Sequence, residues 1–144
     1  NPMMHGEGEL FLFSPIKDNL SHLPWFLAYY RQLGIDRFFI VDNDSTDGTT
    51  EYLLQQPDVH LFRSTDNFAA VSSGMRWINE LMERYGEGHW CIFVDSDEAL
   101  VLPGMEQHGL KPMLNYMDRN GHEAMFAFML DMYPETRASR EKIT

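Results

Sequence analysis

Four apolar runs of strand length, ELFLFS (9–14), RFFIVD (37–42), VHLF (59–62) and WCIFVD (90–95), recur along this chain with helix-like stretches between them. No other feature restricts the fold as much. A run that is apolar at nearly every position has no polar face to offer water, so it reads as a strand covered on both sides. Strands alternating with helices build parallel sheets whose crossover helices pack on the two faces. The expected class is α/β: a Rossmann-like, mostly parallel sheet with helices on both faces.

The stretches between the runs supply the helices. Ser21 is placed to cap a first helix, with Pro24 tolerated in its first turn. Trp25, Phe26, Tyr29, Tyr30 and Leu33 then share one face, and Gly34 closes it. Thr46 or Asp47 caps a short helix through TTEYLLQQ, stopped by Pro57. A longer helix is predicted from about Phe68 to Tyr85, with Val71, Met75, Ile78, Leu81 and Tyr85 as its core stripe. LKPMLNYMDRNG gives a further helix whose start Pro112 restricts, and EAMFAFML (123–130) gives a fifth strand.

The 144 residues fit one domain. Residues 1–8 read as a flexible lead-in and 9–144 as a single domain, with no internal repeat or linker. No apolar run approaches the roughly 20 residues that span a bilayer, and no signal-peptide pattern opens the chain. The lone cysteine, Cys91, reads as a small buried hydrophobe. These features together predict a cytoplasmic protein. The methionines, Met113, Met117, Met125, Met129 and Met132 among them, read as core filler, and His22, His89 and His108 show no metal-ligand spacing.

Charge excludes one class of partner. With 22 acidic against 11 basic residues the formal net charge is −11, and no basic stripe offsets it. Such a surface repels nucleic-acid phosphates. A phosphate ligand would need a bridging cation or backbone donors.

In open parallel sheets, ligands bind beyond the carboxyl ends of the strands. Three motifs stand there: SPIKDN (14–19), VDNDSTDGT (41–49) and FVDSDEAL (93–100). The second is not a calcium loop. Counting from Asp42 places Asp47 where the loop needs Gly and Leu53 where it needs Glu, and counting from Asp44 fails equally. Asp47 and Gly48 suit turn chemistry. Asp42 and Asn43, at the strand end, suit hydrogen bonding to a base edge or a ribose hydroxyl. In the third motif Asp95 and Asp97 are close enough to repel unless a cation lies between them, and carboxylate oxygens at this spacing suit Mg²⁺ or Mn²⁺ holding a diphosphate. Capped turns or a surface acid pair are the structural alternatives.

SPIKDN, the block PWFLAYYRQLGIDRFFIVDNDSTDGTTEYL and WCIFVDSDEAL together resemble family 2 glycosyltransferases of the GT-A fold. The likeness is closest to the branch with D-N-x-S-x-D-G-T and D-x-D-E motifs, and it spans roughly residues 9 to 131. It implies a metal-dependent transfer from a nucleotide-diphospho-sugar donor to an acceptor hydroxyl of a glycan, lipid-linked or protein acceptor. Pro15, Lys17, Asn19, Asp42, Asn43 and Ser45 would hold the nucleotide-sugar together with Asp95 and Asp97, and this last pair would bind Mn²⁺ or Mg²⁺. A separate carboxylate deprotonates the acceptor in such enzymes; Asp131, at the end of the fifth predicted strand, is the candidate. The chain departs from the branch at Lys17-Asp18-Asn19, where Lys-Asn-Glu is common, and at Tyr30, where His is common. The stretch after the D-x-D is short for an acceptor-side region, so part of that region is expected to be missing.

Two other functions use similar residues. Haloacid-dehalogenase-type phosphatases carry an Asp-x-Asp, but want Thr or Val where this chain has Ala99, and need a later Lys and acidic pair. A non-catalytic nucleotide-sugar-binding domain would keep the strand-end motifs and lose the base.

Overall fold

The computed structural model describes residues 8–68 and 74–130. Among them, β1 (Leu10–Ile16), β2 (Arg37–Asp42), β3 (Val59–Arg63) and β4 (Trp90–Phe93) form one sheet in the order β3-β2-β1-β4. Every pairing is parallel. The helices are α1 (Leu23–Gln32), α2 (Thr49–Leu54), α3 (Met75–Tyr85), the single turn α4 (Met105–His108) and α5 (Lys111–Arg119). The expected α/β class, with a parallel sheet and helices on both faces, is the observed one.

Period-two alternation within the apolar strands assigns the helices to faces. Leu10, Leu12 and Ile16 of β1 join Phe38 and Ile40 of β2 in one core with Leu23, Phe26, Leu27 and Tyr30 of α1. Met105 and Leu110, around α4 and α5, complete it. Phe11 and Phe13 turn the other way, with Phe39 and Val41, toward Trp77 and Ile78 of α3. Rings fill that second layer: Phe13 stacks on Phe39 at 4.8 Å and Phe39 on Tyr85 at 5.3 Å. Burying each such side chain contributes about 1.5–3 kcal/mol.

β1 runs through Pro15 to Ile16, beyond the boundary that proline suggested. Val94 donates its N–H to the Phe13 carbonyl (3.2 Å), so odd residues of β1 point their backbone groups toward β4. The ladder to β4 ends at Phe13 opposite Phe93. The donor that Pro15 lacks therefore falls where no strand remains to receive it, while Ile16 still accepts from Asn43 N–H at 2.8 Å on the β2 side.

The helices differ from expectation in detail. In α1, Leu23 and Leu27 are buried, whereas Trp25 lies half exposed and stacks on Tyr29 at 5.2 Å. The cap position is His22, and Ser21 bonds that imidazole (3.0 Å) without reaching the helix amides. Phe68 precedes α3 in a turn, and Val71 lies outside the described residues. Trp77, absent from the predicted stripe, is buried there. Gly74, at φ +80°, lies so close beneath the end of β1 that an added Cβ would sit 3.0 Å from Pro15 Cβ.

The fifth strand is not formed. Residues 122–130 carry no regular structure, and Phe126 and Phe128 are 94% and 99% exposed. An apolar run becomes a buried strand only where side chains cover it, and here neither ring is covered. Met125 and Met129 are likewise exposed, so they are not the core filler expected of them.

Candidate active site

Strand order reverses at β1: β2 and β3 follow on one side, while β4 lies on the other. At such a switch point the loops leaving adjacent strands part and open a crevice beyond the carboxyl edge. The loop after β1 (17–22), the loop after β2 (43–48) and the loop after β4 (94–100) meet at this edge. Asp42 and Asp95 therefore lie on the same edge of the sheet.

The loops after β1 and β2 are bound to each other by polar side chains. Asp18, at φ +46°, accepts from Thr46 N–H (2.7 Å), and its own N–H donates to Ser45 Oγ (2.9 Å). Asp47 accepts from Leu20 N–H and from Thr49 N–H, each at 3.0 Å. The Leu20 N–H and, next, the Thr49 side chain hold its carboxyl below the ordinary range, in keeping with a turn role. Lys17 Nζ donates to the Asn43 carbonyl at 3.0 Å.

Asp42 and Asn43 are buried within this frame. Asp42 Oδ1 accepts from Ser45 N–H (3.0 Å), and Oδ2 accepts from the Thr50 hydroxyl. Asn43 donates Nδ2–H to the carbonyls of Ser64 and Asp66, both at 3.0 Å, and so ties in the loop after β3. Pro15 is buried in β1, Ser45 is half buried and Lys17 is exposed. Arg63 and Arg76 pair with Asp44 (3.3 Å) and Asp66 (3.1 Å) on the exposed rim.

Across the crevice the carboxylates stand differently. Asp95 and Asp97 are exposed, while Ser96 between them is buried. Ser96 Oγ accepts from Asn19 Nδ2 at 2.6 Å, linking this loop to the one after β1. Glu98 N–H closes a turn onto the Asp95 carbonyl at 3.0 Å. Partial burial and, secondarily, the Asp97 charge hold the Asp95 carboxyl above its ordinary value of 3.8. Among the described residues no three acids, histidines or cysteines gather into a metal cage. Two carboxylates fit the other mode of binding, in which a hard cation keeps one or two protein oxygens and takes the rest from substrate phosphates.

Sequence reasoning left Tyr30 without a role and did not single out Ser96. Tyr30 is fully buried, and its hydroxyl donates to the Glu98 carbonyl (3.2 Å) and accepts from Leu100 N–H (3.0 Å). Burial pushes its pKa up to about 12. Cys91 is half buried, not fully buried as expected, and burial raises its thiol pKa to about 11. Asp131, the candidate base, lies outside the described residues.

The family model for glycosyl transferase family 2 matches residues 28–142. No curated protein matches the chain. Among the described residues, no helix is long and apolar enough to cross a membrane.

Proposed function

The chain belongs to glycosyl transferase family 2, and from that premise we propose that it binds a nucleotide-diphospho-sugar through Mn²⁺ or Mg²⁺ and passes the sugar to an acceptor hydroxyl. One observation carries this reading. The exposed carboxylates of Asp95 and Asp97 stand two residues apart on one loop at the mouth of the β1/β4 switch point, where their like charges repel. A divalent cation relieves that repulsion and lets an acidic domain hold a diphosphate. When bound, the cation offsets charge developing on the leaving nucleoside diphosphate.

The chain's own residues then divide the work. Asp95 and Asp97 supply oxygens to the cation. Lys17, Asn19 and Ser45 form the rim against the nucleoside, on a floor that ends at Pro15. Asp42 and Asn43 serve the same site by fixing the shape of that rim, since their polar groups are engaged within it. Residues 9–144 act as one nucleotide-sugar-binding domain in this reading.

The test is calorimetric titration of the chain with UDP, GDP, CDP and dTDP, each with Mn²⁺ and with EDTA. One of them should bind at least tenfold more tightly with Mn²⁺. Equal affinity in Mn²⁺ and in EDTA across all four would refute the donor-site reading.

A further inference from the structure

The loop carrying Asp95 and Asp97 has no regular structure, yet side chains from elsewhere in the fold bond it at several points. One anchor is Ser96, bonded to Asn19. The second is α1. Tyr30 Oη donates to the Glu98 carbonyl and accepts from Leu100 N–H, and Tyr29 Oη donates to the Leu100 carbonyl at 2.7 Å.

We propose that Tyr29 and Tyr30 are positioning residues, a two-hydroxyl latch on α1 that sets the spacing of the Asp95 and Asp97 carboxylates for a diphosphate-bound divalent cation. The proposal rests on the donor-site reading above. Its geometry is specific. The Tyr30 ring is locked by Phe26 at 5.0 Å and by Tyr29 at 5.2 Å, both edge-on, so its hydroxyl is aimed at one place. Phe26, Leu27 and Leu23 root the helix in the core, so the latch is anchored to buried structure. A neutral phenol can donate and accept at once, and this hydroxyl does both. Each anchor adjoins a carboxylate in sequence: Ser96 sits between Asp95 and Asp97, and Glu98 directly follows them. Loosening the latch therefore frees the carboxylates without touching them.

Tyr30→Phe and Tyr29→Phe delete only the hydroxyls. The readouts are Mn²⁺-dependent affinity for the nucleoside diphosphate that the wild type prefers, the electron paramagnetic resonance spectrum of the bound Mn²⁺, and amide exchange at Leu100. Tyr30→Phe should weaken Mn²⁺-dependent affinity about tenfold, broaden the bound Mn²⁺ signal and leave affinity in EDTA unchanged. Tyr29→Phe, whose ring is only partly buried, should fold readily and lose about threefold. A hydroxyl that only stabilised the fold would speed Leu100 exchange and lower Tm, yet keep Mn²⁺-dependent affinity within twofold. That outcome in both variants would overturn the latch while leaving the donor site standing. A wild type without Mn²⁺-dependent binding would instead remove the donor site, and the latch with it.

Discussion

On the β2 side of the crevice Asp42 is buried, with Ser45 and Thr50 holding both carboxylate oxygens; on the β4 side Asp95 and Asp97 are exposed, and only their loop's backbone and Ser96 are tied down. Similar acidic residues at the same sheet edge thus meet opposite treatment. A buried carboxylate must have its partners within the protein, so Asp42 is spent on structure before any ligand arrives. The exposed pair keeps its carboxylates open to solvent, as the proposed cation would require. Proximity to a strand end does not by itself tell a ligand group from a framework group; the partners do.

Removing each acid should break this contrast in opposite directions. Asp42→Ala leaves the Ser45 N–H and the Thr50 hydroxyl without their acceptor in a buried frame, and should cost about 2–3 kcal/mol of stability in urea denaturation. A loss under 1 kcal/mol would mean the frame does not depend on it. Gly74→Ala tests how closely α3 seats against the end of β1. An alanine at φ +80° with Pro15 Cβ 3.0 Å away should cost about 1–2 kcal/mol, read from the same curves. Asp97→Asn should leave the denaturation midpoint in place or raise it slightly, while Mn²⁺-dependent nucleoside-diphosphate affinity drops roughly tenfold, about 1.4 kcal/mol. Unchanged affinity in saturating Mn²⁺ would reduce the pair to surface charge.

A pH titration sharpens the comparison further. Asp95 takes up its proton at higher pH folded than unfolded. Between those two values the folded chain binds more protons, so this group's contribution to stability falls as pH rises through the window and levels off above it. Cation binding runs the other way, because it needs the carboxylate: it should fade as pH falls through the raised value. Asp97→Asn should move that inflection toward the ordinary aspartate value, and an inflection that stays put would exclude coupling between the two acids. The smallest effect belongs to Asp44→Asn, which breaks only the exposed pair with Arg63. Stability should stay within about 0.5 kcal/mol and affinity within about twofold.

Much of this was legible in the sequence because strands announce themselves locally. RFFIVD reads as a strand covered on two faces and is one, whereas WCIFVD forms a strand only over 90–93 that is half buried, with Phe93 exposed; the order of the runs still predicted a parallel sheet with its motifs on one edge. The α1 face was misjudged at Trp25 because aromatic character was taken for burial, whereas the smaller Leu23 and Leu27 occupy the core. The 123–130 run was apolar enough for a strand, but periodicity cannot say whether anything lies above and below it. The latch and the Asn19–Ser96 bond were out of reach for another reason. They join residues 68, 70, 71 and 77 positions apart, and a hydroxyl on a helix gives no sign of which distant backbone it will meet.

The sheet order also governs how the chain acquires its shape during synthesis. Among the described strands β1 comes first in sequence yet lies inside the sheet, flanked by β2 and β4. As the polypeptide emerges, LFLFSPI gains one neighbour when residues 37–42 arrive, but its other edge stays open until 90–93 are made. Through that interval a strand rich in apolar residues presents unpaired amides and aromatic rings on its open edge, the condition under which nascent chains associate wrongly. The crossover to β4 is thus also the last of the described pairings to be synthesised, and the segment leading to β4 sets how long that edge of β1 stays open.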